Sequence, residues 1–152
     1  MSSYTIDSTA ELVEHVSLSQ IRVYETGSRA KSYDDLEASA VNFNLGYAER
    51  TEGRELEDRF RFVVETPSTD YLFELGAIYT LDLDAEIPQD VRIDFAERVG
   101  FMALFPYLRE YLTSSAARLN RPGPLLDFVR PGDMKITESS PEADDADPAS
   151  SV

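Results

Sequence analysis

The chain has 152 residues, of which 42% are hydrophobic, and this length and composition suit one folded domain and exclude a wholly disordered protein. It contains no cysteine, which excludes disulfides, thiolate metal sites and cysteine nucleophiles and favours a reducing compartment. Its 29 acidic residues against 14 basic ones give a net charge of −15, which argues against a general nucleic-acid or anionic-membrane binder, because both partners are anionic.

Residues 1–17 are interpreted as an N-terminal extension. They contain no basic start followed by an apolar run, so no signal peptide is predicted, and no part of the sequence is long and apolar enough to cross a bilayer. A weak amphipathic pattern over residues 10–16 indicates a short helix. The first strand is predicted over residues 18–25, with Ile21 and Val23 on one face.

Three more strands follow, each with large apolar residues on alternate positions. The alternation covers residues 41–47, 59–65 and 71–79, and short polar connections separate these segments. Consecutive strands with short connections favour hairpins and an antiparallel sheet. The alternation predicts one aromatic face of the sheet, formed by Tyr47, Phe60, Phe62, Tyr71, Phe73 and Tyr79.

The apolar spacing changes to a helical period after Pro88. Because a proline inside a helix removes a hydrogen bond and clashes with the preceding turn, we expect a short helix up to about Leu104 and a longer one with Pro106 in its first turn. Gly100 is a second candidate for the break, and residues 120–124 end the long helix. Strands followed by helices predict an α+β domain, a four-stranded antiparallel sheet with a long helix, and a short preceding one, packed on one face.

Residues 135–152 form a separate acidic segment. Five acidic residues and no basic one follow Lys135, and the segment is rich in proline, serine and alanine. Such a segment cannot bury enough surface to offset its ordering entropy, so we expect a disordered acidic tail that aids solubility.

Residues suited to catalysis or metal binding are sparse. His15 is the one histidine, and it lies in a polar stretch where a solvated or capping role is expected. The acidic residues between Asp82 and Asp94 do not match a calcium loop, since Ile87 takes the glycine position and Ile93 the closing glutamate position. No phosphate loop or dinucleotide fingerprint is present. We therefore predict no catalytic residue, no metal site, no cofactor and no enzymatic activity.

A run of residues in the predicted long helix carries a family resemblance. The sequence Leu-Phe-Pro-Tyr-Leu-Arg-Glu at residues 104–110, followed by a helix rich in serine, threonine and small residues and by a loop with proline and leucine, resembles the SecB family. This match keeps its order and spacing over residues 101–131. Residues 20–24 and 71–75 are similar to the family's first and fourth strands, so that the resemblance covers residues 18–131.

The resemblance implies a SecB-like domain over residues 18–134 with a chaperone function. Members of the family are cytoplasmic, ATP-independent holdases that bind unfolded polypeptide clients, either precursors for protein export or the antitoxin of a toxin–antitoxin system. They assemble as homotetramers, as dimers of dimers, and their clients lie in long apolar grooves. A groove of this kind binds without sequence preference, because apolar burial is non-directional.

The resemblance also suggests which residues contact clients and partners. The groove residues expected from it are Tyr47, Phe60, Phe101, Phe105, Tyr107, Leu125 and Phe128. In the family the outward face of the sheet docks the export motor, a translocation ATPase, through acidic residues, and Leu72 and Glu74 match part of that patch. Gly27 and Lys31 stand where further acids are expected, so docking of the motor is left open.

Two other classes of function are compatible with the sequence. A structural or adaptor domain would use its apolar face only for self-assembly and would bury it in the oligomer, whereas a holdase keeps an accessible groove. A small-ligand-binding or enzymatic domain would need a pocket with converging polar groups. The candidates for such groups are Arg109, Glu110, Tyr107 and Tyr111. An intersubunit or helix-to-sheet ion pair is the preferred interpretation of Arg109 and Glu110.

Overall fold

The computed structural model describes residues 4–31, 41–124 and 136. The strands, in chain order, are β1 (Tyr4–Thr5), β2 (Val16–Ala30), β3 (Asn42–Glu52), β4 (Glu55–Glu65), β5 (Thr69–Leu81) and β6 (Ala85–Glu86). The helices are α1 (Thr9–His15), α2 (Gln89–Phe95) and α3 (Phe101–Arg118), and a π-helical turn at Ala96–Gly100 joins α2 to α3. Apart from Ile136, the predicted acidic tail lies outside the described residues.

Strands β2 to β5 form one antiparallel sheet in the order β2-β5-β4-β3, which confirms the predicted four-stranded sheet. The order corrects one expectation, because the first predicted strand does not form a hairpin with the second. It pairs instead with the fourth, from Val16 opposite Leu81 to Ala30 opposite Thr69. The connection of residues 31–41 is long enough for this, since strands three places apart in a sheet are separated by about 14 Å.

The alternation along each strand separates apolar from charged side chains. Phe60 and Phe62 of β4 are buried beneath the helices, while Arg61 between them lies on the outward face opposite Glu74. The predicted aromatic face is confirmed, because all its residues belong to the core on the helix-bearing side or pack against it.

The helical layer crosses the sheet from its β3 edge to its β2 edge. Near the start of the layer, Arg92 of α2 pairs with Glu49 of β3 at 3.0 Å. Near its end, the Tyr111 hydroxyl of α3 donates a hydrogen bond to the Gly27 carbonyl of β2 at 2.6 Å. Between these points, the Phe101 ring packs on two β4 rings at centroid distances of 5.8 and 5.9 Å. The crossing covers the centre of the sheet and leaves the inner faces of β2 and β3 less covered.

The change between the short and the long helix lies earlier than predicted. It falls in the π-helical turn at Ala96–Gly100, which includes the second candidate, and α3 then continues through Leu104 and Pro106. The predicted break near Leu104 is therefore wrong, and Pro106 lies inside α3 rather than in its first turn. Proline inside a helix costs about 3 kcal/mol. Burial of Leu104 and Leu108 against the sheet contributes about 1.5–3 kcal/mol each, which is enough to hold this segment helical.

The N-terminal segment packs onto this body. Strand β1 pairs in parallel with β6. Ser8 caps α1, because its side-chain oxygen accepts a hydrogen bond from the Glu11 amide at 3.1 Å. Ile6 and Leu12 are fully buried in the core. The helix expected over residues 10–16 is thus confirmed, and the segment before β2 contributes two core side chains.

Candidate functional site

The inner face of β2 is poorly covered by the helical layer. Leu18 and Val23 lie opposite core residues of β5, yet they are 48% and 53% exposed, and Ile21 between them is half-buried. Tyr107 of α3 is 48% exposed. It precedes Tyr111 by one helical turn and therefore lies on the flank of α3 that faces β2. We refer to Leu18, Ile21 and Val23 on the inner face of β2, together with Tyr107 on the β2-facing flank of α3, as the β2 margin.

On the other flank of α3, Tyr47 of β3 begins a chain of aromatic contacts. The ring centroids of Tyr47 and Phe60 are 5.1 Å apart, and those of Phe60 and Phe101 are 5.8 Å apart. Phe101 then contacts Phe105 one turn along α3, at 5.7 Å. The chain connects the partly covered face of β3 to the helix. We call the half-buried surface at its β3 end the β3 margin, formed by Phe43, Leu45 and Tyr47.

The structure brings together four of the seven predicted groove residues, Tyr47, Phe60, Phe101 and Phe105. Tyr107 lies on the opposite flank of α3, and Leu125 and Phe128 lie outside the described residues. Phe60 and Phe101 are each 1% exposed and belong to the core in this conformation. Tyr47 and Tyr107 are the members that present surface. Contact of this set with a client stays a prediction.

Tyr47 also belongs to a polar cluster around the buried Asp58, which no sequence motif indicates. Its hydroxyl lies 3.2 Å from Asp58 Oδ1 and 3.3 Å from Glu49 Oε2, and Glu49 pairs with Arg92 of α2. Asp58 is fully buried, and this burial raises its pKa from 3.8 to about 8. Burial also raises the pKa of Tyr47. The inward orientation of Asp58 could have been predicted from the alternation along β4, since Asp58 precedes the inward-facing Phe60 by two residues and such residues lie on the same face of a strand.

The predicted partner-docking residues lie on the outward face of the sheet. Leu72 is half-buried there, and Glu74 is only 7% exposed. The Glu74 carboxylate accepts hydrogen bonds from Arg61, at 2.8 Å, and from Arg59. The Arg59 guanidinium in turn lies 3.8 Å from the centre of the Tyr24 ring. Two arginines therefore compensate the charge of Glu74, which leaves this carboxylate poorly placed to receive a basic partner.

Other chemistry is limited among the described residues. They contain no group of three histidine, cysteine, aspartate or glutamate side chains arranged for a metal ion. No helix within them is long and apolar enough to cross a membrane. A cavity of about 420 Å³ lies beside the β3–β4 turn, but its Arg92 is already bound to Glu49 and to the Ile87 carbonyl. His15 pairs with Asp82 at 2.9 Å, at the end of α1.

Comparison with known proteins gives this fold and surface a context. No protein-family model matches the chain. The SecB-like chaperone SmegB of Mycolicibacterium smegmatis is 35% identical to it over 142 residues, which cover 93% of this chain and 94% of SmegB. Among solved structures, the SecB-like chaperone Rv1957 of Mycobacterium tuberculosis, in complex with a ChAD peptide from the Rv1956 HigA1 antitoxin, has a TM-score of 0.70 and 19% identity, covering 80% of this chain and 92% of the other. The structural likeness shows a shared fold. The sequence identity, sustained over nearly the whole of both chains, shows that this chain belongs to the family of SecB-like chaperones.

Proposed function

We propose that this SecB-like chaperone holds unfolded polypeptide segments along the two margins beside α3, without ATP, a cofactor or a covalent step. The observation that supports this most directly is the β2 margin, where Leu18, Val23 and Tyr107 each keep about half of their side chain in contact with water. Apolar burial contributes about 25 cal/mol per Å² and has no directional requirement. A surface of this kind therefore accepts many apolar segments.

On the β3 margin, Tyr47 is the accessible rim of the proposed groove. Phe60, Phe101 and Phe105 form its floor, and a client reaches them by displacing the side chains at the rim. Leu125 and Phe128 follow α3 in the sequence and complete the proposed set. The net charge of −15 keeps a protein with exposed apolar margins soluble and attracts basic, unfolded clients.

We infer that the client is an antitoxin rather than an exported precursor. The Mycobacterium tuberculosis relative was solved with an antitoxin peptide, which supports the same client class here. The compensated charge of Glu74 argues against docking of the export motor, and Gly27 and Lys31 supply no acid at the other expected positions. The absence of cysteine supports a reducing compartment, and we propose the cytoplasm.

We also propose that the chain acts as a homotetramer, which the family resemblance implies. Strand β2 lies at an edge of the sheet, and edge strands present backbone groups that pair readily with another chain. Pairing between two β2 strands would extend the sheet across a dimer without covering the helix-facing margins. Light scattering of the purified protein tests the assembly.

Suppression of the aggregation of a chemically denatured client tests the proposed function. We expect the wild-type protein to suppress aggregation at an equimolar ratio of tetramer to client. Tyr107→Ser should weaken the effect about fivefold, because an interface contact of this kind contributes about 1 kcal/mol. Tyr4→Ser is the matched control, since Tyr4 is 50% exposed but lies on β1.

Each outcome of this assay decides a separate point. A wild-type protein that does not suppress aggregation contradicts the holdase and favours the adaptor domain, whose apolar face serves self-assembly alone. Equal losses of aggregation suppression in Tyr107→Ser and Tyr4→Ser contradict a role for the β2 margin.

A second experiment tests the class of client. We expect no binding of the export motor to this protein in biolayer interferometry. Motor binding that Glu74→Gln abolishes would contradict the antitoxin assignment.

A further inference from the structure

Asp58 occupies an unusual position for a carboxyl group. It lies on the inner face of β4, two residues before Phe60, and is 0% exposed. Among the described residues, its Oδ2 atom has no hydrogen-bond partner. The π-helical turn passes directly over it, because a Cβ placed on Gly100 would lie only 2.4 Å from Oδ2. The helical layer therefore rests on this carboxyl group at the turn between α2 and α3.

The other oxygen of Asp58 begins a chain of polar groups that leads back to α2. Tyr47 Oη lies 3.2 Å from Asp58 Oδ1 and 3.3 Å from Glu49 Oε2, and Arg92 Nε donates to Glu49 Oε1 at 3.0 Å. A phenol carries one proton and can donate to only one of the two carboxylates. When Asp58 is protonated, it donates to Tyr47 and Tyr47 donates to Glu49, so that the chain is complete. When Asp58 is ionised, the Tyr47 hydroxyl can donate to Asp58 or to Glu49 but not to both, so one of the two carboxylates receives no hydrogen bond from it.

We propose that Asp58 is held as a neutral acid in the folded protein, and that its proton closes a hydrogen-bonded chain that ties α2 and the π-helical turn to β3 and β4. Loss of this proton places a negative charge beneath Gly100 and removes the donor on which the position of Tyr47 depends. Its consequence for clients rests on the proposed function, in which Tyr47 is the rim of the β3 margin.

Burial and the neighbouring negative charges favour the neutral form of Asp58, whereas the hydrogen bond from Tyr47 favours the ionised form. Tyr47 and Glu49 face it from β3, Glu57 adjoins it on β4, and the Tyr79 hydroxyl approaches from β5 without a hydrogen-bond partner among the described residues. The helical layer contributes Arg92, which is paired with Glu49, and Glu97 and Arg98 in the turn itself. Burial raises the pKa of Asp58 to about 8, the charges of Glu49 and Glu57 add to this, and the hydrogen bond from Tyr47 opposes it.

The raised pKa fixes the direction of the pH effect. The unfolded chain holds this carboxyl at its ordinary pKa of 3.8, whereas the folded chain holds it at about 8. Between these values folding takes up a proton, so the folding equilibrium constant falls about tenfold per pH unit as the pH rises. This contribution to stability is complete below pH 3.8 and is lost as the pH passes through 8.

Denaturation by urea at fixed protomer concentration, at several pH values from 6 to 9, tests the proposal. Asp58→Asn is neutral at every pH and can still donate to Tyr47. Asp84→Asn is the matched control, because Asp84 is an exposed carboxylate whose pKa the Arg54 guanidinium lowers, so it stays ionised throughout this range. For the wild-type and Asp84→Asn proteins, we expect the folding equilibrium constant to fall about tenfold per pH unit between pH 6 and 7.5, relative to that of Asp58→Asn. Above pH 8 this relative fall should level off. Parallel curves for all three proteins would overturn the proposal.

Two further measurements keep the proposal testable if Asp58→Asn does not fold and separate it from the proposed function. In the wild-type protein with 13C-labelled aspartate, one carboxyl resonance should titrate near pH 8, and titration of every resonance below pH 5 would overturn the proposal. Aggregation suppression is then compared between pH 6.5 and 8.5. A change in the wild-type protein that Asp58→Asn lacks supports a link to the groove. An equal response in both proteins overturns that link, and absence of suppression at both pH values contradicts the proposed function alone.

Discussion

The substitution Gly100→Ala examines a close approach of the helical layer to the sheet. The new Cβ would lie 2.4 Å from Asp58 Oδ2 and 3.0 Å from Asp58 Cβ and Cγ. Rotation of the Asp58 side chain moves Oδ2 and Cγ, but it leaves Cβ where the strand backbone holds it. Either the helix lifts from β4 or the buried carboxyl group moves, and both loosen the packing of the turn.

The expected magnitude follows from two opposing terms. Alanine is favoured over glycine inside a helix by about 1 kcal/mol. Overpacking a well-filled core typically costs about 1–3 kcal/mol. We therefore expect Gly100→Ala to lower the free energy of unfolding by about 1 kcal/mol, although the same exchange at an unobstructed helical site would raise it by about that amount.

Urea denaturation at pH 6, where Asp58 is protonated, measures this difference. Gly27→Ala is the control, because no heavy atom lies within 4 Å of the Cβ that it adds, and its effect should stay within about 0.5 kcal/mol. The double variant with Asp58→Ala should recover part of the loss, since contacting residues couple by about 0.5–3 kcal/mol. A Gly100→Ala protein more stable than the wild type would refute the close contact at this turn.

Two other predictions concern the core and the acidic tail. Phe101→Ala should lower the free energy of unfolding by about 3–5 kcal/mol in urea denaturation. The reason is that the Phe101 ring is 1% exposed and touches the rings of Phe60, Phe62 and Phe105. A loss below about 1 kcal/mol would show that the ring is not part of the core. Deletion of the chain after Thr137 should leave the melting temperature unchanged within about 2 °C in differential scanning calorimetry, because the composition of the deleted segment predicts no core residue and the deletion keeps Ile136, which packs against the core. A much larger fall would show that the tail packs on the domain.

The face of the sheet on which each side chain lies could be predicted from the sequence, but the pairing of the strands with one another could not. The alternation around Phe60 and Phe62 assigns each side chain to the inner or the outward face, because the strand has a period of two. The pairing of β2 with β5 has no comparable local signal. Residues 31–41 allow β2 to lie at either edge, and only the packing of the whole sheet selects one.

The position of the helix break also depends on tertiary packing as well as on local sequence. Local chemistry predicts a break near Leu104, just before Pro106, since the proline lacks an amide donor and disfavours the turn before it. The structure instead has the irregular turn at Ala96–Gly100. Glycine at position 100 lets this turn approach Asp58, and the burial of Leu104 and Leu108 keeps α3 regular through the proline.

The exposure of the predicted groove residues could not be read from the sequence. Tyr47, Phe60, Phe101 and Phe105 do form one aromatic cluster. The same residue types serve in a core and in a groove, so the sequence could not separate the buried Phe60 from the exposed Tyr107. It also did not point to Leu18 as surface, because the exposure of that side chain depends on how far the helical layer reaches over β2.

The amino-acid order by itself determined the α+β class, the aromatic face of the sheet and the family resemblance carried by residues 104–110. These properties depend on short-range periodicity, composition and a contiguous motif, all of which are readable along one stretch of chain. Only the tertiary structure decided the strand order, the uncovered margins beside α3 and the burial of Asp58 beneath Gly100. Each of these depends on which distant segments meet and at what angle the helices cross the sheet, and such contacts arise from the packing of the whole domain.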